Sequence, residues 1–345
     1  MGKKTIETLI ATADTEADVR VQQLLKENAG LRKQLASKDA KTEIIKDVIA
    51  GVYAVPSGLM NLATPKRAGT EDETAVLHIT DMHYGKRTVS FDADVCVRRV
   101  TQLCDAVEQI VTLRRKAAKI NRLVLLLGGD MVEGQDIFPH QAWETDVDAV
   151  RQIIKDGPEL MASAILRLGQ VFPEVDIHAV PGNHGRLSKT GSPSFNGDSI
   201  FYEITRLLVS QAKSKSQLTW NLPLDRDPNN QWWARADVYG HGIVVIHGDL
   251  KGPGNQLGYP WYSLGRRVPQ WGAVFPQEFE YLYVGHNHTW ASFEAAGKMV
   301  LATGSIESDN AHAAKNFAAL GQPHQRLGFY NKKYGLLPDH KIYLT

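Results

Sequence analysis

Six short apolar runs recur along the chain from residue 75 onward, and their length suits buried strands better than helices. They comprise residues 75–80, 122–127, 175–180, 242–247, 281–284 and 298–303. Helical patterns over residues 92–118 and 146–170 separate the first three runs. Because parallel strands are joined by crossover connections of this kind, the pattern predicts an α/β fold whose first three strands are parallel.

Residues 1–50 have a different pattern, with dense mixed charge and no proline, which predicts a helix. Apolar residues and one asparagine occupy alternating a and d positions of a heptad; they are Val21, Leu24, Asn28, Leu31 and Leu35. A single polar a residue is typical of a two-stranded parallel coiled coil, so we expect a homodimer. An amphipathic helix that packs on its own domain is the alternative.

Prolines and glycines between residues 51 and 74 indicate a linker after this helix. The main domain is expected over residues 75–310, and residues 311–345 are expected to form a C-terminal segment that completes it. The helix over residues 1–50 is then an N-terminal extension of the main domain.

The composition is that of an ordinary soluble globular protein, with 345 residues of which 43% are hydrophobic and 22% are charged. The formal net charge of +1 creates no overall field, so nucleic acid would have to bind a local basic patch. Two cysteines provide no disulfide framework and suggest a reducing compartment. No apolar run approaches the length of a membrane span and no signal-peptide pattern follows the first residues, so we expect a cytoplasmic protein without membrane association.

Polar motifs follow five of the predicted strands. They are D-M-H at 81–83, G-G-D-M-V-E at 128–133, G-N-H at 182–184, H-G at 247–248 and G-H-N-H at 285–288. Ligands of α/β proteins bind beyond the carboxyl ends of the strands, so these motifs should meet in one crevice. Imidazole, carboxylate and amide groups together favour Mn, Fe or Zn over Mg, which prefers oxygen ligands. The sequence therefore predicts a metal site in that crevice.

In this order, the motifs D-x-H, G-D-x-x-E, G-N-H, H-G and G-H-x-H resemble those of the calcineurin-like metallophosphoesterase family, over about residues 75–310. The resemblance implies a four-layer αββα sandwich, in which helices flank two sheets and a two-metal centre lies at the sheet edge. It assigns the first metal to Asp81, His83 and His288, the second metal to Asn183, His247 and His286, and the bridging position to Asp130. The two divalent ions are expected to be Mn²⁺, with Fe or Zn as alternatives. A shared carboxylate holds two cations roughly 3.5 to 4 Å apart, close enough to acidify a water that attacks the phosphorus atom.

The same resemblance implies that His184 acts as the general acid, because the family uses the matching histidine near the leaving group without binding metal. The family usually has an acidic residue directly after G-N-H, whereas this chain has Gly185. Glu133, shortly after Asp130, is the candidate to orient an imidazole. A carboxylate that begins a helix is the alternative role for Glu133.

Basic residues follow several of these motifs and are expected on loops at or near the crevice rim. They are Lys86, Arg87, Arg186, Lys189, Arg266 and Arg267, and they either contact a phosphate backbone or belong to solvated loops. Trp261, Tyr262 and Trp271 lie among arginines in the segment after His247. Aromatic residues in such a setting either stack the bases of single-stranded nucleic acid or plug the edge of a sheet.

The spacing around D-M-H and the segment N-G-D-S-I-F-Y-E-I at 196–204 resemble members of the family encoded by phages and bacteria, close to its repair-nuclease branch. This similarity implies a nuclease that hydrolyses phosphodiester bonds of DNA, located in the host cytoplasm if a phage encodes it. A phosphomonoesterase, including a protein phosphatase, is the second hypothesis. Those phosphatases have arginines directly after the second and third motifs; here Gly134 follows Glu133, but Arg186 is present after the third motif. The third hypothesis is a scaffold that binds metal without turnover.

Overall fold

The computed structural model describes residues 19–20, 22–30, 71–139, 141–189, 195–212, 214, 216–250, 260–308 and 322–345. The chain divides into two units, Met1–Ala68 and Gly69–Thr345. In the first unit, the described residues are helical and exposed. Three of the predicted heptad positions, Val21, Leu31 and Leu35, lie outside the described residues, so the coiled coil and the dimer stay predictions.

Within the described residues, the second unit contains twelve strands and five α-helices. In chain order they are β1 (Asp72–Ile79), α1 (Ala93–Arg114), β2 (Lys119–Leu127), α2 (Ala149–Ile154), α3 (Asp156–Val171), β3 (Glu174–Ala179), α4 (Gly197–Gln211), β4 (Gln217–Asn221), β5 (Trp233–Val238), β6 (His241–Ile246), α5 (Pro260–Val274), β7 (Tyr281–Val284), β8 (Ala291–Ala295), β9 (Lys298–Ala302), β10 (His324–Asn331), β11 (Gly335–Leu336) and β12 (His340–Tyr343). The six predicted strands are confirmed as β1, β2, β3, β6, β7 and β9, and β1 begins before residue 75. The single helix predicted over 146–170 is two helices, because the backbone leaves the helical conformation at Lys155.

Two sheets form the centre of this unit. The first has the strand order β11-β10-β1-β2-β3-β4, and β12 also pairs with β10. Neighbours from β1 to β4 are parallel, which confirms the prediction from the crossover helices, and β10 is antiparallel to β1. The second sheet has the order β5-β6-β7-β9-β8, with β6, β7 and β9 parallel. The strands of the C-terminal segment extend the first sheet beside β1.

Alternate residues of the central strands pack in opposite directions. In β1, Leu77 and Ile79 belong to a core shared with α1, α3 and α4, whereas Val76 belongs to a core between the two sheets. A third core, which includes Val244 and Leu264, joins the second sheet to α5. Central strands are apolar on both faces because both faces are covered. The order helix, sheet, sheet, helix confirms the predicted αββα sandwich.

The two tryptophans of α5 pack against the second sheet. Trp271 is buried and stacks on Phe275 with 6.1 Å between ring centroids. Trp261 makes an edge contact with Phe293 of β8 at 5.4 Å. The two tryptophans therefore cover the second sheet and are not presented for base stacking, whereas Tyr262 is 62% exposed.

Helices α1 and α4 begin at side-chain caps. Asp92 caps α1 and Asn196 caps α4, and each accepts a backbone N–H of the first turn at 2.8 Å. Cys96 and Cys104 are buried free thiols of α1. Among the helices of the described residues, none has the length and apolar character that a membrane crossing requires.

Candidate metal centre

Five loops meet in one place, and each follows a parallel strand. The loops after β1, β2 and β3 come from the first sheet, and those after β6 and β7 come from the second. They bring all seven predicted ligand side chains together, namely Asp81, His83, Asp130, Asn183, His247, His286 and His288. Each of these residues is buried or half-buried. Convergence at the carboxyl ends of strands is the arrangement expected for a ligand site in an α/β protein.

The first group of side chains comprises Asp81, His83 and His288, whose ligand atoms lie within 4.8 Å of one another. His288 Nε2 lies 3.3 Å from His83 Nε2 and 3.3 Å from Asp81 Oδ1. The Nδ1 atom of His83 lies 2.8 Å from Glu133, and that of His288 lies 3.0 Å from Glu307. When both Nδ1 atoms donate to carboxylates, both Nε2 atoms carry lone pairs that face each other. A cation between them satisfies both.

The second group comprises Asp130, His247 and His286, again with ligand atoms within 4.8 Å of one another. His247 Nε2 lies 3.0 Å from Asp130 Oδ2 and 3.2 Å from His286 Nδ1. Asn183 Oδ1 lies 2.9 Å from His247 Nε2. The other nitrogen of His247, Nδ1, donates to the carbonyl oxygen of Gly128 at 2.9 Å, which leaves Nε2 as an acceptor. Acceptor atoms from four side chains therefore face one point.

Asp130 lies between the two groups. Its Oδ2 atom is 3.0 Å from His247 Nε2 and 4.0 Å from His83 Nε2. Its Oδ1 atom accepts the backbone N–H of His184 at 2.7 Å. This is the placement that the predicted bridging role requires.

The cluster carries an excess of buried negative charge. Burial alone lowers the pKa of His247, but Asp130 and Asp81 raise it to about 10. In the same way, burial lowers the pKa of His288, while Glu307 and Asp81 raise it to about 10. The carboxylates therefore hold protons on both histidine rings. A metal ion can supply the same positive charge in place of those protons. Imidazole nitrogens together with carboxylate and amide oxygens fit Mn, Fe or Zn.

Five of the seven predicted ligands have a left-handed backbone conformation, which residues other than glycine rarely adopt. They are Asp81, His83, Asp130, His286 and His288, with φ angles from 46° to 64°. In the described part of the chain, the other non-glycine residues with positive φ are Tyr239 and Ala296, both in hairpin turns. Backbone strain gathered in one cluster is typical of functional sites.

A buried carboxylate that the sequence analysis missed, Asp198 of α4, fixes the loops after β2 and β3. It accepts hydrogen bonds from four backbone N–H groups, at 2.8 Å from Asp130, 3.1 Å from Met131, 3.2 Å from Val132 and 2.8 Å from Gly182. An acidic residue in the first turn of a helix looks the same in the sequence whether or not it holds such loops. In the sequence, Asp198 appeared only as one residue of the segment 196–204, which was noted for its resemblance to other family members.

Gly182 lies so close to Asp130 that a methyl group would overlap the carboxylate. We expect Gly182→Ala to lower the free energy of unfolding by about 1 to 3 kcal/mol, the usual cost of overpacking. Gly272→Ala is the matched control, because Gly272 is exposed on α5 with no atom within 4 Å of an added Cβ. Alanine there should add up to about 1 kcal/mol of helix stability. Denaturant unfolding measures both variants, and a Gly182→Ala protein as stable as the control would contradict this packing.

Two buried carboxylates and a buried lysine support the imidazoles. Glu133 Oε2 lies 2.8 Å from His83 Nδ1 and 3.2 Å from His184 Nδ1. Lys86 Nζ lies 3.6 Å from Glu133 and 3.2 Å from Glu307. Burial raises the pKa of Glu133, but His184, Lys86 and the ring hydrogen bonds lower it to about 2. Glu133 is therefore an ionised acceptor, as the orienting role requires.

Lys86 does not lie at the rim, where it was expected either as a phosphate contact or on a solvated loop. Its side chain is only 5% exposed and its ammonium group faces two buried carboxylates. The sequence analysis assigned no role to Glu307, the second of these carboxylates. Glu307 follows β9 in the segment G-S-I-E, so its position after a strand was the available signal.

The remaining basic residues lie on different elements. Arg87 is exposed in the loop after β1, and Arg186, in the loop after β3, pairs with Asp249 at 2.5 Å. Arg266 and Arg267 lie on α5, the helix that packs on the second sheet. The structure thus brings Arg87 and Arg186 onto the site loops, and it places the α5 arginines on another element.

His184 reaches the cluster from the loop after β3. Its ring lies 4.6 Å from the ring of His83, edge to face, and 4.6 Å from the ring of Phe138. Its side chain is 19% exposed. Burial lowers the pKa of His184, but Glu133 and Asp130 raise it above its ordinary value. The imidazole can therefore keep a proton near neutral pH.

An αββα sandwich with a buried cluster of histidines and carboxylates at the carboxyl ends of its central strands is the architecture of a metal-binding phosphoesterase. The family model for calcineurin-like phosphoesterases matches residues 74–290, and the chain belongs to this family. Membership supports metal-dependent hydrolysis of phosphoesters as the chemistry of the chain.

Three individual proteins similar to this chain share low sequence identity with it. A segment of 150 residues is 28% identical to the DNA polymerase II small subunit of Methanothermobacter thermautotrophicus, and the match covers 41% of this chain and 28% of that protein. The chain thus spans less than a third of that relative. Among solved structures, a hypothetical protein from Pyrococcus horikoshii OT3 is 12% identical with a TM-score of 0.40, covering 79% of this chain and 89% of that chain. An archaeal phosphodiesterase is 8% identical with a TM-score of 0.36, covering 78% and 99%.

Proposed function

We propose that this protein is a phosphodiesterase that cleaves nucleic acid with the help of two divalent metal ions. Mn²⁺ is the expected metal. The observation that carries the proposal is the position of the Asp130 carboxylate between two groups of acceptor atoms, 3.0 Å from His247 Nε2 and 4.0 Å from His83 Nε2. The first ion is assigned to Asp81, His83 and His288, the second to Asn183, His247 and His286, and both to Asp130.

Bound at these positions, the two ions supply an acidified water and positive charge for the phosphate. The protein holds the ligands in place. Glu133 fixes the ring of His83, and Glu307 fixes the ring of His288. Lys86 balances the charge of both carboxylates. Partners of this kind typically contribute about 10- to 100-fold to metal affinity or activity.

His184 is the general acid of the proposed reaction. Glu133 holds its Nδ1 atom at 3.2 Å, so Nε2 is the atom that donates a proton to the departing oxygen. The hydrogen bond from the His184 backbone N–H to Asp130 Oδ1 fixes the acid relative to the ligands. The raised pKa of His184 keeps this proton available near neutral pH.

Two features favour a nucleic-acid diester over a phosphate monoester. Protein phosphatases of this family have arginines directly after the second and third motifs. Here Gly134 follows Glu133, so the arginine after the second motif is missing. The similarity to a DNA polymerase small subunit supports nucleic acid as the substrate class.

Hydrolysis of a bis-aryl phosphate diester and of an aryl phosphate monoester, with Mn²⁺ added, tests this proposal. We expect the diester to be cleaved faster and labelled DNA to be cleaved as well. Both activities should disappear in a chelator and return when Mn²⁺ is added again, because the ions supply the nucleophile and the charge. Faster cleavage of the monoester would favour a phosphatase, and two tightly bound ions without turnover would favour a scaffold.

A further inference from the structure

A cavity of about 730 Å³ adjoins the candidate acid. The loops after β2 and β3 line it, and the lining includes Gly134 and Gly185, which directly follow Glu133 and His184. Its walls combine apolar side chains with charged ones; they include Ile137, Ala142 and Leu187 together with Arg186, Lys189 and one carboxylate, Asp136. A cavity with these walls suits a ligand that has both a flat apolar part and negative charge.

Two exposed aromatic residues directly follow lining residues of this cavity in the chain. Phe138 directly follows Ile137 of the lining, is 38% exposed, and has its ring centroid 4.6 Å from that of His184. Trp143 belongs to the same short turn as Ala142 and is 86% exposed. A tryptophan held in water presents a large apolar face, and exposed apolar surface of this kind marks contact sites for ligands.

The cations of the cavity are held by ion pairs that face solvent. Arg186 pairs with Asp249 at 2.5 Å, and the two side chains are 33% and 37% exposed. Lys189 pairs with Asp136 at 3.8 Å, and Asp136 is 99% exposed. Exposed ion pairs contribute little to stability, so a phosphate group can replace these carboxylates at small cost.

We infer that this cavity binds an unpaired nucleotide of a single-stranded polynucleotide, on the leaving-group side of the cleaved bond. The assignment rests on the proposed function, which puts the phosphate at the metal cluster and makes His184 the proton donor to the departing oxygen. The nucleotide attached to that oxygen then enters the space beside His184. Its base stacks on an exposed ring, and neighbouring phosphates meet Arg186 and Lys189. A base that stays paired within a duplex does not reach these rings.

Trp143→Ala tests the stacking, and Tyr334→Ala is its matched control. Both rings are exposed, but Tyr334 lies in the turn between β10 and β11, beside the amino end of β1 and opposite the end that carries the cluster. We compare kcat/KM for a single-stranded oligonucleotide with kcat/KM for the bis-aryl diester. Trp143→Ala should lower the ratio of the two by about fivefold to a hundredfold, the range for one stacked base, whereas Tyr334→Ala should not change it. An unchanged ratio for Trp143→Ala, or an equal fall of both values, would overturn the assignment.

A binding measurement addresses the cavity without turnover. Full-length His184→Ala protein, which should keep its metal ions and cleave little during the measurement, is titrated into labelled single-stranded DNA, single-stranded RNA and duplex DNA of equal length, and fluorescence anisotropy is recorded. We expect at least about tenfold tighter binding of a single strand than of the duplex, and a loss of that preference on adding Trp143→Ala. The DNA and RNA arms identify which sugar the site accepts. Equal or tighter binding of the duplex would overturn the inference, whereas failure to hydrolyse the bis-aryl diester would overturn the proposed function alone.

Discussion

Replacing Asp130 with asparagine is expected to abolish phosphodiester hydrolysis and to remove the paired metal ions. Asparagine keeps the oxygen that accepts the His184 N–H, but it removes the charge that lies 3.0 Å from His247 and 4.0 Å from His83. Two cations cannot share a neutral amide oxygen as they share a carboxylate. The loss of kcat/KM should exceed about 100-fold, the upper end for residues that only support a metal ligand.

Elemental analysis and steady-state kinetics measure both effects of Asp130→Asn. Asp105→Asn is the matched control, because this carboxylate is 50% exposed on α1 and pairs with Arg167 at the surface. It should leave metal content and activity unchanged. Two ions per chain and undiminished hydrolysis in Asp130→Asn would show that Asp130 does not join the two groups.

The second large effect is expected for His184→Ala, which should lower kcat by about 10²- to 10⁴-fold while most of the metal is kept. The variant removes the proton donor but leaves every ligand of the two proposed positions. His184 could instead bind a metal ion, because His83, Glu133 and His184 also place three potential ligand atoms within 4.8 Å of one another. The metal content of the variant distinguishes this role from that of a proton donor. Loss of metal from His184→Ala would assign His184 to an ion and not to proton transfer.

His241→Ala is the control for this variant. His241 also faces a glutamate, Glu280 at 2.8 Å, but at the amino end of β6, opposite the end that leads into the cluster. The pH dependence gives a further check. Burial lowers the pKa of His184, but Glu133 and Asp130 raise it above its ordinary value, so the acid keeps its proton to higher pH than a free imidazole, and kcat should fall as the pH rises through this pKa. His184→Ala should lack that alkaline fall.

The glycine that replaces the usual acidic residue after G-N-H has a structural reason. Gly185 packs so closely on Asn196 and Asp198 that a side chain has no room there. The carboxylate that contacts His184 comes instead from Glu133 in the loop after β2. From the sequence, Glu133 could either orient an imidazole or begin a helix. The choice depends on its distance from the histidines, which is set by how two loops pack.

The strands and the residues at their carboxyl ends were predictable from the sequence. Central parallel strands are buried on both faces and appear as continuous apolar runs, so the polar residues that follow them stand out. His83, Asp130 and Asn183 were found in this way. Glu307 also follows a strand, but a single polar residue without a motif is not distinguishable from an ordinary loop residue.

By itself, the sequence determined the parallel strands and the polar residues at their ends, because apolar periodicity is a local property of the chain. The order of the motifs added the resemblance to the family, and with it the expected sandwich and ligand set. Only the tertiary structure decided what each charged or aromatic group contacts. Lys86 was expected at the rim, as a phosphate contact or on a solvated loop, but it is buried between Glu133 and Glu307. For Trp271 the sequence left base stacking and packing against a sheet open, and the structure shows the packing. A residue's type states what it can bond with, whereas its burial and its partner depend on elements that are distant in sequence and meet only in the folded protein.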